Sequence, residues 1–170
     1  MQDVAVLGAG SWGTALAIHL GRLGKSVRLW GRDAALIARL RAERMNPTYL
    51  PGVLLPPAVS PTDSLERAVD ATGCVVWAIP SHATRKVLRS VAPLLGADTP
   101  IVSGTKGFEV GTLQRISQVI EQELGSSRPV AVLSGPCFAA ELARGAHTAV
   151  LVASHCHEVP STVQQEFRAP

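Results

Sequence analysis

Apolar residues along this chain alternate between short unbroken runs and longer stretches with helical spacing. Val4-Ala5-Val6-Leu7 is the first run, and its length predicts a buried strand. From Trp12 to Leu23 the spacing turns helical, with Leu16, Leu20 and Leu23 on one side and Gly24 as the stop. Val27 to Trp30 predicts a second strand. Asp33 suits an N-cap, and the helix behind it runs to about Arg44 with Leu36, Ile37 and Leu40 facing inward. Asn46 to Pro61 breaks the rhythm: Pro47, Pro51, Pro56, Pro57, Pro61 and Gly52 predict an irregular loop, with Val59 touching a short strand. Ser64 to Val69 reads as a brief helix. Cys74-Val75-Val76-Trp77-Ala78-Ile79, stopped by Pro80, predicts a central parallel strand. Ala83 to Leu95 predicts a helix, Pro100 to Ser103 a strand, Leu113 to Leu124 a helix and Val130 to Leu133 a strand. Pro136 to Arg144 predicts a helix with proline in its first turn, Thr148 to Ala153 a last strand, and Glu158 to Phe167 a final helical piece.

Strands and helices that alternate in this way imply right-handed βαβ units. The expected fold is α/β: a Rossmann-like, doubly wound and mostly parallel sheet covered on both faces. In such sheets ligands sit beyond the carboxyl ends of the strands. The strand tips are Gly8 to Gly13, Gly31-Arg32, Pro80-Ser81-His82, Ser103 to Gly107, and Ser134-Gly135-Pro136-Cys137. They are expected to converge on one rim, and the proline-rich loop to cover part of it.

Composition agrees with this architecture and excludes others. The chain has 170 residues, 46% of them hydrophobic and 17% charged, enough for one globular domain with a sizeable core. No apolar run reaches membrane-spanning length, and no basic-then-apolar leader precedes the first strand. Three widely spaced cysteines, Cys74, Cys137 and Cys156, argue for a reducing cytoplasm rather than a disulfide framework. Seven basic residues (Arg22, Lys25, Arg28, Arg32, Arg39, Arg41 and Arg44) face only Asp33 and Glu43 in their stretch. They read either as a solvated helix face or as attraction for a phosphate-rich ligand. Nucleic acid is set aside, because no aromatic platform interleaves these charges.

Gly8, Gly10 and Gly13 match G-x-G-x-x-G between a predicted strand and a predicted helix, where a dinucleotide fingerprint sits. Gly8 makes the tight turn, Gly10 lets a pyrophosphate approach the backbone, and Gly13 lets helix and strand pack closely. The helix start favours the phosphate charge. At the second strand tip an acidic residue would bind the ribose hydroxyl of NAD, and an arginine the 2′-phosphate of NADP. Leu29-Trp30-Gly31-Arg32 offers the arginine, which favours NADP; the alternative is a solvated Arg32 with Asp33 on the ribose. Lys106, alone between permissive neighbours, stands over the cleft or is merely solvated. Ser134-Gly135-Pro136-Cys137 offers N–H groups to a phosphate or hydroxyl. Cys137 reads as a small buried thiol rather than a nucleophile, since spacing identifies no histidine partner. His82 lines the cleft or is structural. His155-Cys156-His157 is set aside as a zinc site, because adjacent residues rarely converge on one ion.

With these residues together, the sequence resembles the bacterial NAD(P)-dependent glycerol-3-phosphate dehydrogenases. The resemblance rests on Gly8-Ala9-Gly10-Ser11-Trp12-Gly13-Thr14-Ala15, Leu29-Trp30-Gly31-Arg32, Asn46-Pro47-Thr48-Tyr49-Leu50-Pro51-Gly52, Ala78-Ile79-Pro80-Ser81-His82, Thr105-Lys106-Gly107 and Ser134-Gly135-Pro136. It implies hydride transfer between NADP (preferred) or NAD and the C2 carbon of sn-glycerol 3-phosphate or dihydroxyacetone phosphate, for glycerophospholipid synthesis. It implies cofactor contacts at Ser11, Trp12, Arg32, Tyr49, Lys106 and Ala139, and substrate contacts at Lys106 and Gly135. Cys137 departs from the family, which usually has Ser or Thr there, and a thiol is the weaker donor. Family members continue into a helical domain that supplies the general acid/base. Residues 1–155 are therefore expected to form the NAD(P)-binding domain, with 156–170 leading toward that second domain, and the full-length enzyme to allow a homodimer. The 170-residue chain is expected to bind cofactor with little or no turnover. A stand-alone binding or regulatory module is the alternative.

Overall fold

The computed structural model describes residues 3–156 and 158–169; His157, part of the His-Cys-His tract, lies outside them. Its centre is β1 (Asp3–Leu7), hydrogen-bonded in parallel register to β2 (Ser26–Trp30) on one side and β6 (Cys74–Trp77) on the other. The sheet runs β5-β2-β1-β6-β7-β8-β9, with β5 at Val59–Thr62, β7 at Ile101–Ser103, β8 at Val130–Ser134 and β9 at Leu151–Ser154. Every pairing is parallel except β8 with β9, which is antiparallel. The mostly parallel, doubly wound sheet is the one the alternation of runs implied.

Alternation of side chains across the pleat explains why the strands read as continuous apolar runs. Val4 and Val6 of β1 face one core, while Ala5 and Leu7 face another. The first core is closed by α1 (Ser11–Arg22) and α2 (Ala34–Glu43), together with α6 (Ala139–Arg144) and α7 (Glu158–Phe167). The second is closed by α3 (Leu65–Val69), α4 (Ser81–Val91) and α5 (Ile116–Leu124), around the fully buried Trp77. The last helix is tied to the first: the Phe167 carbonyl bonds the His19 imidazole at 2.7 Å, and Lys25 pairs with Glu166.

Helix boundaries follow local chemistry. The Asp33 carboxylate caps α2 by accepting the Ala35 and Leu36 N–H groups at 2.9 and 3.1 Å. Gly24, at φ 79°, takes the left-handed turn beyond α1. The α4 helix tightens into a 3₁₀ turn at Ala92–Leu94, where Pro93 has no N–H to continue it.

Three expectations need correction. Asn46–Pro61 is not an irregular loop. Met45–Asn46 (β3) and Leu50–Leu54 (β4) form an antiparallel ribbon, and β5 is a parallel edge strand against β2. Pro51 and Pro61 are accommodated because an edge position can face away from its neighbour and needs no N–H. The helix expected from Leu113 begins at Ile116. Leu113 itself sits at φ 57°, inside a turn closed by the Phe108–Arg115 bridge. The helix expected from Pro136 begins at Ala139, because a tight turn, with the Cys137 N–H on the Gly135 carbonyl at 3.0 Å, occupies the preceding residues.

Candidate functional site

The glycine-rich turn shows three different environments. A Cβ on Gly8 would lie 2.5 Å from the Ala78 carbonyl oxygen, and Gly8 holds φ 121°. A Cβ on Gly13 would lie 1.8 Å from the Gly8 carbonyl oxygen. Both positions exclude any side chain. Gly10 has nothing within 4 Å of its virtual Cβ. It is the N-cap of α1, with no side-chain cap and no acidic residue in the first turn. Backbone N–H groups and the positive end of the helix are therefore presented to open space, the arrangement that suits a phosphate.

This turn forms one wall of a cleft of about 280 Å³. The tip of β2 supplies Gly31, Arg32 and Asp33; the segment after β6 supplies Ala78 to Pro80 and His82; the β3–β4 ribbon supplies Tyr49. Gly31 is required by crowding, since a Cβ there would lie 2.8 Å from the Ala9 Cβ and 2.9 Å from Ile37 Cδ1. Arg32 is exposed at the cleft, with no ion-pair partner among the described residues. The carboxylate of Asp33 is already engaged as the cap of α2.

Most of the other basic residues of this stretch take structural roles. Arg39 pairs with Glu43 at 3.0 Å and Arg41 with Asp63 at 3.0 Å. Arg44 donates to the Leu55 and Pro56 carbonyls, and Arg28 to the carbonyl of Arg67. The cluster anticipated from the sequence thus resolves mostly into internal contacts, and Arg32 is the member that faces the cleft.

A second group meets on the far side of the α1 N-terminus. The Lys106 ammonium donates to the Cys137 carbonyl at 3.3 Å and lies 5.6 Å from the centroid of the Trp12 ring. Gly104 makes room for that ring, since a Cβ there would lie 2.9 Å from Trp12 Nε1. The indole N–H of Trp12 is buried without a hydrogen-bond partner. Lys106 is held by a fixed neighbour, the Thr105 hydroxyl, which donates to the Ile79 carbonyl at 2.8 Å. The buried Cys137 points its thiol at the Gly135 carbonyl, 3.4 Å away; its carbonyl, not its thiol, meets Lys106. Gly135 (φ 148°) is pressed against the Ala149 carbonyl, where a Cβ would come to 2.8 Å. Ala139 packs against the same core as Trp12.

The predicted strand tips thus share one rim in two neighbouring groups joined by the glycine turn. A larger cavity of about 710 Å³ lies elsewhere, between α1, α6, α7 and the β8–β9 edge, and contains none of the predicted site residues.

Two supports were not legible from the sequence. Asn46 is fully buried and bonds the glycine turn. The Asn-Pro pair opening the proline-rich stretch was its only signal. Glu109 is buried beyond Lys106, clamped by the Nε and Nη2 groups of Arg85, each at 2.7 Å, and by the Thr112 hydroxyl at 2.7 Å. A lone acidic residue in a loop gave no local sign of this.

A parallel α/β sheet with a strand, glycine turn and uncapped helix at its carboxyl rim is a dinucleotide-binding domain of the Rossmann type. Comparison with known proteins narrows the class. Residues 3–159 match the family described as NAD-dependent glycerol-3-phosphate dehydrogenase N-terminus, and the chain belongs to that family. It is 45% identical over 164 residues to a glycerol-3-phosphate dehydrogenase (NAD(P)+) of Thioalkalivibrio sulfidiphilus, covering 96% of this chain and 49% of the relative. It is 47% identical over 169 residues to the enzyme so named in Moorella thermoacetica, covering 99% and 50%. Among solved structures, glycerol-3-phosphate dehydrogenase from Coxiella burnetii superposes with a TM-score of 0.94 at 35% identity, covering 99% of this chain and 51% of that one. The chain spans about half the length of these relatives.

Proposed function

We propose that this chain is the cofactor-binding half of an enzyme interconverting sn-glycerol 3-phosphate and dihydroxyacetone phosphate, and that it prefers NADP to NAD. The observation that carries the reading is the open backbone at Gly10, set between two glycines that admit no side chain and facing the cleft that Arg32 borders. A pyrophosphate fits over Gly10, and Gly8 and Gly13 shape the turn that receives it. Ser11 and Trp12 begin the helix beneath it, with Tyr49 and Ala139 flanking. Arg32 is a free guanidinium where a 2′-phosphate would lie, while Asp33 is committed to its cap. The nicotinamide, when bound, supplies or accepts the hydride. Lys106 offers a positive charge to cofactor and substrate phosphate, held in place by the Cys137 carbonyl. Gly135 brings backbone close to the substrate, and Cys137 shapes that turn through its thiol contact to Gly135.

The test of cofactor choice is calorimetric titration with NADPH and NADH. NADPH should bind more tightly, and Arg32→Ala should remove most of the difference, roughly a tenfold loss for NADPH with NADH little changed. Equal affinity for the two, or an Arg32→Ala protein that keeps its NADPH affinity, overturns the preference. The reading assigns cofactor binding rather than full turnover to this half. Steady oxidation of NADPH by the 170-residue chain, dependent on dihydroxyacetone phosphate, would overturn that assignment.

A further inference from the structure

The Asn46 side chain uses both of its ends. Its amide nitrogen donates to the Ala9 carbonyl at 3.0 Å and to the Thr14 hydroxyl at 2.8 Å; its oxygen accepts the Tyr49 N–H at 3.0 Å. The orientation of the amide is fixed, because a carbonyl only accepts and a backbone N–H only donates. Asn46 therefore joins three parts of the site: the middle of the glycine turn, the first turn of α1 and the ribbon that carries Tyr49.

The bond to Ala9 has a geometric consequence. A trans peptide points its C=O and N–H in opposite directions. Drawing the Ala9 carbonyl inward onto Asn46 turns the Gly10 N–H outward, toward the cleft that Gly10 lines. Among the described residues, no other hydrogen bond holds that carbonyl. Without Asn46, rotation of one peptide would aim an oxygen where the reading of a dinucleotide site requires a donor.

We propose that Asn46 is a positioning residue for the cofactor: it sets the direction of the Gly10 N–H and locks the Tyr49 ribbon to the same turn. The inference rests on the dinucleotide-binding reading above. ADP and AMP provide the test, since they share adenosine and differ by the second phosphate. In the wild-type chain ADP should bind more tightly than AMP. Asn46→Asp keeps the shape and the acceptor for the Tyr49 N–H but loses the donor to Ala9. It should lower ADP and NADPH affinity roughly tenfold and bring the ADP-to-AMP ratio close to one. Thr14→Val, which removes only the other bond of the same amide, should leave that ratio intact. A purely structural role would lower both affinities together and preserve the ratio in Asn46→Asp, and that result overturns the proposal. So does a wild-type ratio of one. If the wild-type chain binds neither NADPH nor ADP, the dinucleotide reading falls first. Should Asn46→Asp fail to fold, an ¹⁵N spectrum of the wild-type chain decides. On saturation with ADP, the Gly10 amide should shift downfield more than its neighbours, and an unmoved Gly10 amide overturns the proposal.

Discussion

The space around the missing side chain separates the roles of Gly10 and Gly13. At Gly13 a methyl would meet the Gly8 carbonyl oxygen at 1.8 Å, so Gly13→Ala should cost about 3 kcal/mol or more, as a strained and overpacked backbone contact does. At Gly10 the space is open and φ is −76°, so Gly10→Ala should change stability by no more than about 1 kcal/mol. On the proposed reading its methyl would occupy the pyrophosphate's approach, so NADPH affinity should fall while folding persists. Urea denaturation read beside titration separates the two outcomes. These glycines were legible because their signal is a string of neighbours. Arg32 was legible for the same reason. Asn46 was not, because its partners Ala9 and Thr14 lie 37 and 32 positions away and only the topology brings them together.

At the scale of elements, the segment from Gly104 to Arg115 shows how a loop becomes rigid. It is pinned ahead of Lys106 by Thr105 and beyond it by Glu109, whose own backbone bonds Gln114 and Leu113 at 2.9 and 3.0 Å. Arg85 of α4 reaches across to Glu109 and to Glu123 of α5, and Arg89 joins Glu123. The Arg85 guanidinium first, and the Thr112 hydroxyl second, hold the Glu109 carboxyl down at about 2 against an ordinary 4.5. A folded value below the unfolded one adds stability that is complete above about 4.5 and lost as pH falls through about 2. Glu109→Gln should therefore flatten the decline in stability between pH 4.5 and pH 2, read from urea midpoints across that range. An unchanged slope would show that the clamp is not felt in folding. The elements themselves were legible where the period was long, as in α1 and α4. The β3–β4 ribbon was hidden by prolines, which signal a break in the local string but are tolerated at an edge, and β5 showed only as a short strand at Val59.

For the molecule as a whole, the mostly parallel, doubly wound sheet could be anticipated because the strands with both faces buried advertise themselves as unbroken apolar runs. The antiparallel seating of β9 could not, since Leu151 to Ser154 alternates exposed and covered positions and carries no sign of direction. The helix α7 packs over this edge and is tied to α1 through His19. Val163 and Phe167 of α7 enter the same core as Val4 and Val6 of β1. Phe167→Ala should undock α7 and lower the unfolding free energy by about 2 kcal/mol in denaturant titration. A midpoint that does not move would place α7 outside the cooperative unit. No helix among the described residues is long and apolar enough to cross a membrane.

The placement of the tryptophans gives this protein an optical property. Trp30 and Trp77 are buried, their indole N–H groups bonded to the Asp63 carbonyl and the Thr84 hydroxyl. Trp30 nonetheless lines the cleft at the tip of β2, whereas Trp12 is half-buried on the other side of the α1 N-terminus, its ring beneath the Lys106 ammonium and its N–H unsatisfied. One fluorophore, Trp77, is thus sealed in the core, a second, Trp30, forms part of the cleft wall, and a third, Trp12, flanks Lys106. Emission from Trp77 follows unfolding, while emission from Trp30 also responds to occupation of the cleft and that from Trp12 to the surroundings of Lys106. Replacing Trp30 and Trp12 by phenylalanine, one at a time and together, would silence the rim signals and leave that of Trp77, so a single spectrum can be divided between folding and binding without any added label.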